Sequence, residues 1–93
     1  MALSFAWDPA KAAANLRKHG VSFPEATTAF ADANSLTYLD PDHSSAEERW
    51  VLLGTSTRAR LLVVVHTERG DAIRLISARK ATRKERKIYE EAP

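Results

Sequence analysis

The chain predicts an α+β domain, a small antiparallel sheet with two N-terminal helices and a C-terminal helix in the order β-α-α-β-β-β-α. Three observations lead there. Two helix start signals stand close together in the first third, each followed by helix-forming residues. The second half then changes period, to apolar runs bounded by turn residues. A third start signal, Thr82-Arg83-Lys84-Glu85, opens a helix near the end.

Taken in order, Phe5-Ala6-Trp7 reads as a short strand. Asp8 is placed to cap the following helix, with Pro9 at its first position, where a missing N–H costs nothing. Ala10 to His19 is rich in strong helix formers, and Gly20 stands where a left-handed residue ends the helix. Ser22-Phe23-Pro24-Glu25 fits a capping box, and Phe23, Ala26 and Phe30 mark the buried stripe of a short helix ending near Asp32. Ser35 to Leu39 is a weak strand, and residues 40–45 form a polar loop. Arg49 to Thr55, Arg60 to Thr67 and Ala72 to Ala78 are strands, the last two joined by an Arg69-Gly70 turn. The C-terminal helix carries Ile88 and Tyr89 inward.

That turn sets a register with consequences for chemistry. It places Arg60 opposite Arg79, His66 opposite Ile73 and Leu62 opposite Ser77, with Arg49 opposite His66 on the same face. The other face, with Trp50, Leu52, Val63, Val65 and Ile76, is the lid site for the helices, and Arg74 is its anomaly. Paired arginines are tolerated if an anion sits between them; alternatively they splay into water from frayed strand ends.

At 93 residues, 44% apolar and 28% charged, the chain suits one globular domain. It has no cysteine, and its three histidines lack metal-ligand spacing, so neither a disulfide framework nor a metal site is expected. No cofactor is implied. The longest apolar run, Leu61 to Val65, falls far short of a membrane span, and no leader pattern opens the chain. A cytoplasmic protein is expected.

The net charge of +2 conceals an asymmetry: residues 1–47 sum to −3 and residues 48–93 to +5. Arg79, Lys80, Arg83, Lys84, Arg86 and Lys87 oppose Glu85 alone, a phosphate-binding signature or a solvated helix face. The C-terminal helix has Arg83 and Lys84 in its first turn and Glu90 and Glu91 in its last, an order that opposes the helix dipole. A docked polyanion would reverse that sign. Arg60, Lys80, Arg83 and Lys84 are the residues expected to meet the phosphates of a nucleic acid.

The densest patch of reactive groups is Asp42-His43-Ser44-Ser45-Ala46-Glu47-Glu48-Arg49. Histidine trades protons near neutrality, a carboxylate can orient it, and arginine stabilises a charged phosphorane. These are the parts that RNA cleavage by the substrate's own 2′-hydroxyl needs. His19 has a sufficient role at a helix C-terminus, and His66 reads as a packed core-edge residue. Ser77 has no hydrolase triad around it. Trp7, Trp50 and Tyr89 offer base stacking if exposed, and core packing otherwise.

Read together, Phe5 to Pro9, Asn15 with Lys18 to Phe23, Asp42-His43-Ser44 with Glu47-Glu48-Arg49, and Ile73 to Arg79 resemble the BrnT family of bacterial type II toxins. The resemblance spans almost the whole chain. It implies a RelE-like fold and a ribonuclease that arrests translation. It also implies a cognate BrnA antitoxin with a ribbon-helix-helix domain, and operon autorepression in which operator DNA is reached only through the antitoxin. His43, Glu48, Arg49, Arg74 and Arg79 are the matching catalytic candidates. Asp32-Ala33-Asn34 departs from the family's frequent Asp-Pro, which affects a turn. The antitoxin is expected to cover the basic second half, with Ile88 and Tyr89 available as apolar anchors if they are not already buried. The rival reading is a non-catalytic module that binds the antitoxin and acts as a co-repressor.

Overall fold

The computed structural model describes residues 3–40, 42 and 47–93. The chain runs β1 (Ser4–Ala6), α1 (Pro9–His19), α2 (Phe23–Thr28), a 3-10 turn (Ala29–Ala31), β2 (Leu36–Leu39), β3 (Trp50–Thr55), β4 (Leu61–Arg69), β5 (Ala72–Lys80) and α3 (Arg83–Glu91). The strands form a single sheet in the order β1-β5-β4-β3-β2. It is mixed, because β1 lies parallel to β5 while the other pairs are antiparallel. The wholly antiparallel sheet is thus corrected. So is the element order, since the weak segment is a full strand and four strands separate α2 from α3.

The helix boundaries follow local chemistry. The Asp8 carboxylate accepts from the Ala10 N–H at 2.8 Å, and the Gly20 N–H closes α1 on the Leu16 carbonyl at 2.9 Å with φ +68°. Ser22 caps α2 by accepting from the Glu25 N–H at 3.1 Å. Only that half of the box is used, for the Glu25 carboxylate is drawn to Arg60 and Ser56. At α3 the box is complete, with Thr82 and Glu85 bonded reciprocally.

One sheet face is closed by the N-terminal helices. Val21, Phe23, Ala26 and Ala29 pack there on Leu52, Leu62, Val64, Leu75 and Ala78. Gly54 admits the 3-10 turn, since a Cβ at that position would stand 2.8 Å from the Ala29 carbonyl oxygen. Asn15 ties α1 to the sheet. Its amide nitrogen donates to the Val21 and Ala78 carbonyls at 2.9 and 2.8 Å, and its oxygen accepts from the Ala78 N–H at 3.0 Å. The opposite face carries Val51, Leu53, Leu61 and Val63, partly covered by Leu36, Val65, Ala81 and Tyr89.

The register departs from expectation at two places. The β4–β5 turn is Gly70-Asp71, with Arg69 opposite Ala72, and a bulge between Val65 and His66 adds a further residue to β5. Arg79 therefore pairs with Val63, not Arg60. Across β3–β4, His66 faces Trp50 instead of Arg49. A one-residue slip moves side chains to the other face, so Leu62 and Val64 lie under the helices while Val63 and Val65 do not.

Candidate active site

The face that the N-terminal helices leave open is ruled into rows by the strand register. Beside α3 lie Leu53, Val63 and Arg79; next come Tyr38, Val51, Val65 and Ser77. The following row pairs Thr67 with Arg74, and alternation from Val51 brings Arg49 to the same face. Three of the sequence-derived candidates thus share one surface. Tyr38, Asp40, Asp42, Val51, Val63, Val65, Ser77, Arg79 and Glu85 line a cleft of about 280 Å³ there. Its floor is valine and its rim is charged.

Arg79 is held from α3. Its two terminal nitrogens donate to the two Glu85 carboxylate oxygens at 2.8 Å each, and one also reaches the Lys80 carbonyl at 3.3 Å. The fork is a strong, orientation-fixing pair. The Arg79 guanidinium, with the Thr82 N–H at 2.8 Å, pushes the Glu85 carboxyl down from 4.5 to about 2. A guanidinium has five N–H donors, so Nε and one terminal hydrogen of Arg79 remain for a ligand. Burial, and then the Glu85 charge, raise the Tyr38 phenol above its usual value, so it stays protonated.

The remaining candidates fall out differently. His43 lies outside the described residues. Glu48 is exposed in the segment before β3 and does not line the cleft. The Arg49 carbonyl accepts from the Asp40 N–H at 2.8 Å, which fixes the end of β2 to the start of β3. Lys80, Arg83 and Lys84 are exposed, as an RNA-binding role requires. Arg60 is partly buried and already paired. It forms a fork with the carboxylate of Glu25, whose side chain is 4% exposed, through Nε at 2.9 Å and through Nη2. Those bonds outweigh burial and lower the Glu25 carboxyl, which Ser56 also supports at 2.8 Å. Arg60 is first a structural strut.

Other assignments hold. His66 is buried edge-on against Phe30, at 4.9 Å between centroids, and burial lowers its basicity despite the Val64 carbonyl. Trp7 packs edge-on with Phe23 at 5.9 Å. Tyr89 latches α3 by donating to the Asp32 carboxylate at 2.5 Å, where Thr55 N–H also donates at 2.8 Å. Burial alone would raise the Asp32 carboxyl, but these bonds hold it below its usual value. Sequence reasoning missed Tyr38 and the Glu85 clamp. Alternation along β2 was a signal for Tyr38; the clamp depends on a contact between β5 and α3. Among the described residues no cluster of three His, Cys, Asp or Glu side chains could hold a metal ion.

The fold and this surface define a small α+β protein with an open, arginine-flanked sheet face, a class suited to handling anions. Family comparison is more specific. The chain matches the model of the family described as ribonuclease toxin, BrnT, of type II toxin-antitoxin system over residues 7–85, and it belongs to that family. Among solved structures it is similar to the 1.1 Å crystal structure of the Brucella abortus ribonuclease toxin BrnT, at 21% identity and a TM-score of 0.65. That match covers 88% of this chain and 100% of the Brucella chain. None of the curated proteins matches.

Proposed function

We propose that this toxin is an endoribonuclease that cuts RNA on the open sheet face without a metal ion. The carrying observation is the placement of Arg49, Arg74 and Arg79 on one sheet face, where Arg79 and Tyr38 line a cleft floored by valine. The valines and Tyr38 suit a base, since aromatic and apolar surfaces accept any of the four. The free donors of Arg79, with Arg74, suit the phosphate. The 2′-hydroxyl then attacks phosphorus, the bond to the 5′ oxygen breaks, and a 2′,3′-cyclic phosphate and a 5′-hydroxyl result. His43 and Glu48 are the candidates to move the protons, one an imidazole and the other a carboxylate.

Several further parts of the reading rest on family membership. The fold is RelE-like, the site of action is the cytoplasm, and cleavage inhibits translation. A BrnA-like antitoxin with a ribbon-helix-helix domain neutralises the toxin, and the complex represses its operon. Among the described residues no helix is long and apolar enough to cross a membrane.

The test is RNA cleavage in EDTA with analysis of the product ends. Cyclic phosphate (or its hydrolysed form) and 5′-hydroxyl ends are expected. Loss of cleavage on chelation, with recovery in magnesium, would contradict the mechanism.

A further inference from the structure

Six cations gather at the end of the sheet where β4 begins and β5 finishes. The Arg60 side chain donates to the Gly20 carbonyl at 3.1 Å, bringing the last turn of α1 against the β3–β4 turn. Arg58 lies 3.7 Å from the same Glu25 carboxylate that Arg60 holds, and is 70% exposed. On the other side, Leu62 pairs with Lys80, and the Ala81 N–H donates to the Leu61 carbonyl at 2.9 Å. Arg83 and Lys84 begin α3 directly beyond. Lys18 follows Asn15 by three residues, so it lies on the flank of α1 that faces the sheet, and it is exposed. The result is an arc from Lys18 through Arg58, Arg60 and Lys80 to Arg83 and Lys84.

Among the described residues, the ion-paired carboxylates beside this arc are Glu25, held by Arg58 and Arg60, and Glu85, held by Arg79. The exposed large apolar side chains among the described residues are Leu3, Leu16, Tyr38, Leu39 and Ile88, and none is a member. That distinction selects the ligand. An ordered peptide draws affinity from buried apolar anchors, whereas a phosphate backbone needs only spaced cations.

We infer that this arc is a second nucleic-acid surface, which takes the phosphate backbone of an RNA strand leaving the cleft past Lys80 toward α1. The inference rests on the reading that the chain acts on RNA. It assigns contacts to Lys18 and Arg58, residues that the cleavage chemistry does not require. Arg60 braces the arc from below.

The test is the salt dependence of binding to a non-cleavable 2′-O-methyl RNA, for the wild-type protein and a Lys18→Ala/Arg58→Ala variant. Two lost phosphate contacts should lower the slope of log K against log salt by about 1.4 and weaken binding roughly tenfold at low salt. Lys18→Ala alone, which disturbs no ion pair with Glu25, should give about half that change in slope. Lys11→Ala, in the first turn of α1, should leave the slope unchanged. If the wild type binds with a steep slope and the double variant matches it, the arc is not an RNA surface. A wild type without salt-dependent RNA binding overturns the functional reading as well. Loss of poly-glutamate binding, with RNA binding intact, would replace the RNA with an acidic protein partner.

Discussion

Single side chains decide how the sheet is held, and Asn15 shows it best. Its amide is buried and makes three bonds to backbone, two of them with Ala78 on β5. Asn15→Ala leaves the Ala78 N–H and two carbonyls without this partner, and should cost about 3 kcal/mol in denaturant unfolding. A loss under about 1 kcal/mol would mean that water replaces the amide at no penalty. The sequence placed Asn15 in a motif string but offered no reason for it, because both carbonyls it serves lie outside its own helix. His66 was different. An aromatic base within an apolar strand already suggests packing, and burial against Phe30 bears that out.

At the scale of elements, α3 is attached by polar contacts near both ends and buries no residue fully. Arg79–Glu85 secures its first turn, and Tyr89–Asp32 its last. Glu85→Gln should therefore lower thermal stability at neutral pH. The sign with pH follows from the depressed carboxyl: its contribution is complete above the unfolded value near 4.5 and disappears as pH falls toward about 2. The melting difference between wild type and variant should shrink across that window. A constant difference would show that the ionised carboxylate is not what holds the helix.

Elements were more legible than their pairing. Caps, glycine stops and helix formers are local, so α1, α2 and α3 could be read directly from residues such as Asp8, Ser22 and Thr82. Partners of strands are not local. The turn was displaced from Arg69-Gly70 to Gly70-Asp71, and the bulge beside His66 shifted the rest of β5 again. Arg60 and Arg79 consequently separated, one to Glu25 and the other to Glu85. Parallel pairing of β1 with β5 joins residues nearly seventy positions apart, as with Ser4 and Ala72, and no periodicity in three residues announces it.

For the whole molecule, the two sheet faces divide the work. One is sealed by the N-terminal helices and supplies stability; the other holds the valine-floored cleft lined by Arg79 and carries the proposed chemistry. Ile88 is 51% exposed and suits an apolar anchor for the antitoxin, whereas Tyr89 is tied to Asp32. The most direct test is the single-turnover cleavage rate of Arg79→Ala at saturating RNA, with folding checked by melting. A preorganised donor facing the reacting phosphate predicts a loss of about 10²-fold or more. A folded variant that cuts within about threefold of the wild-type rate, too small a loss for such a donor, would show that the chemistry lies elsewhere.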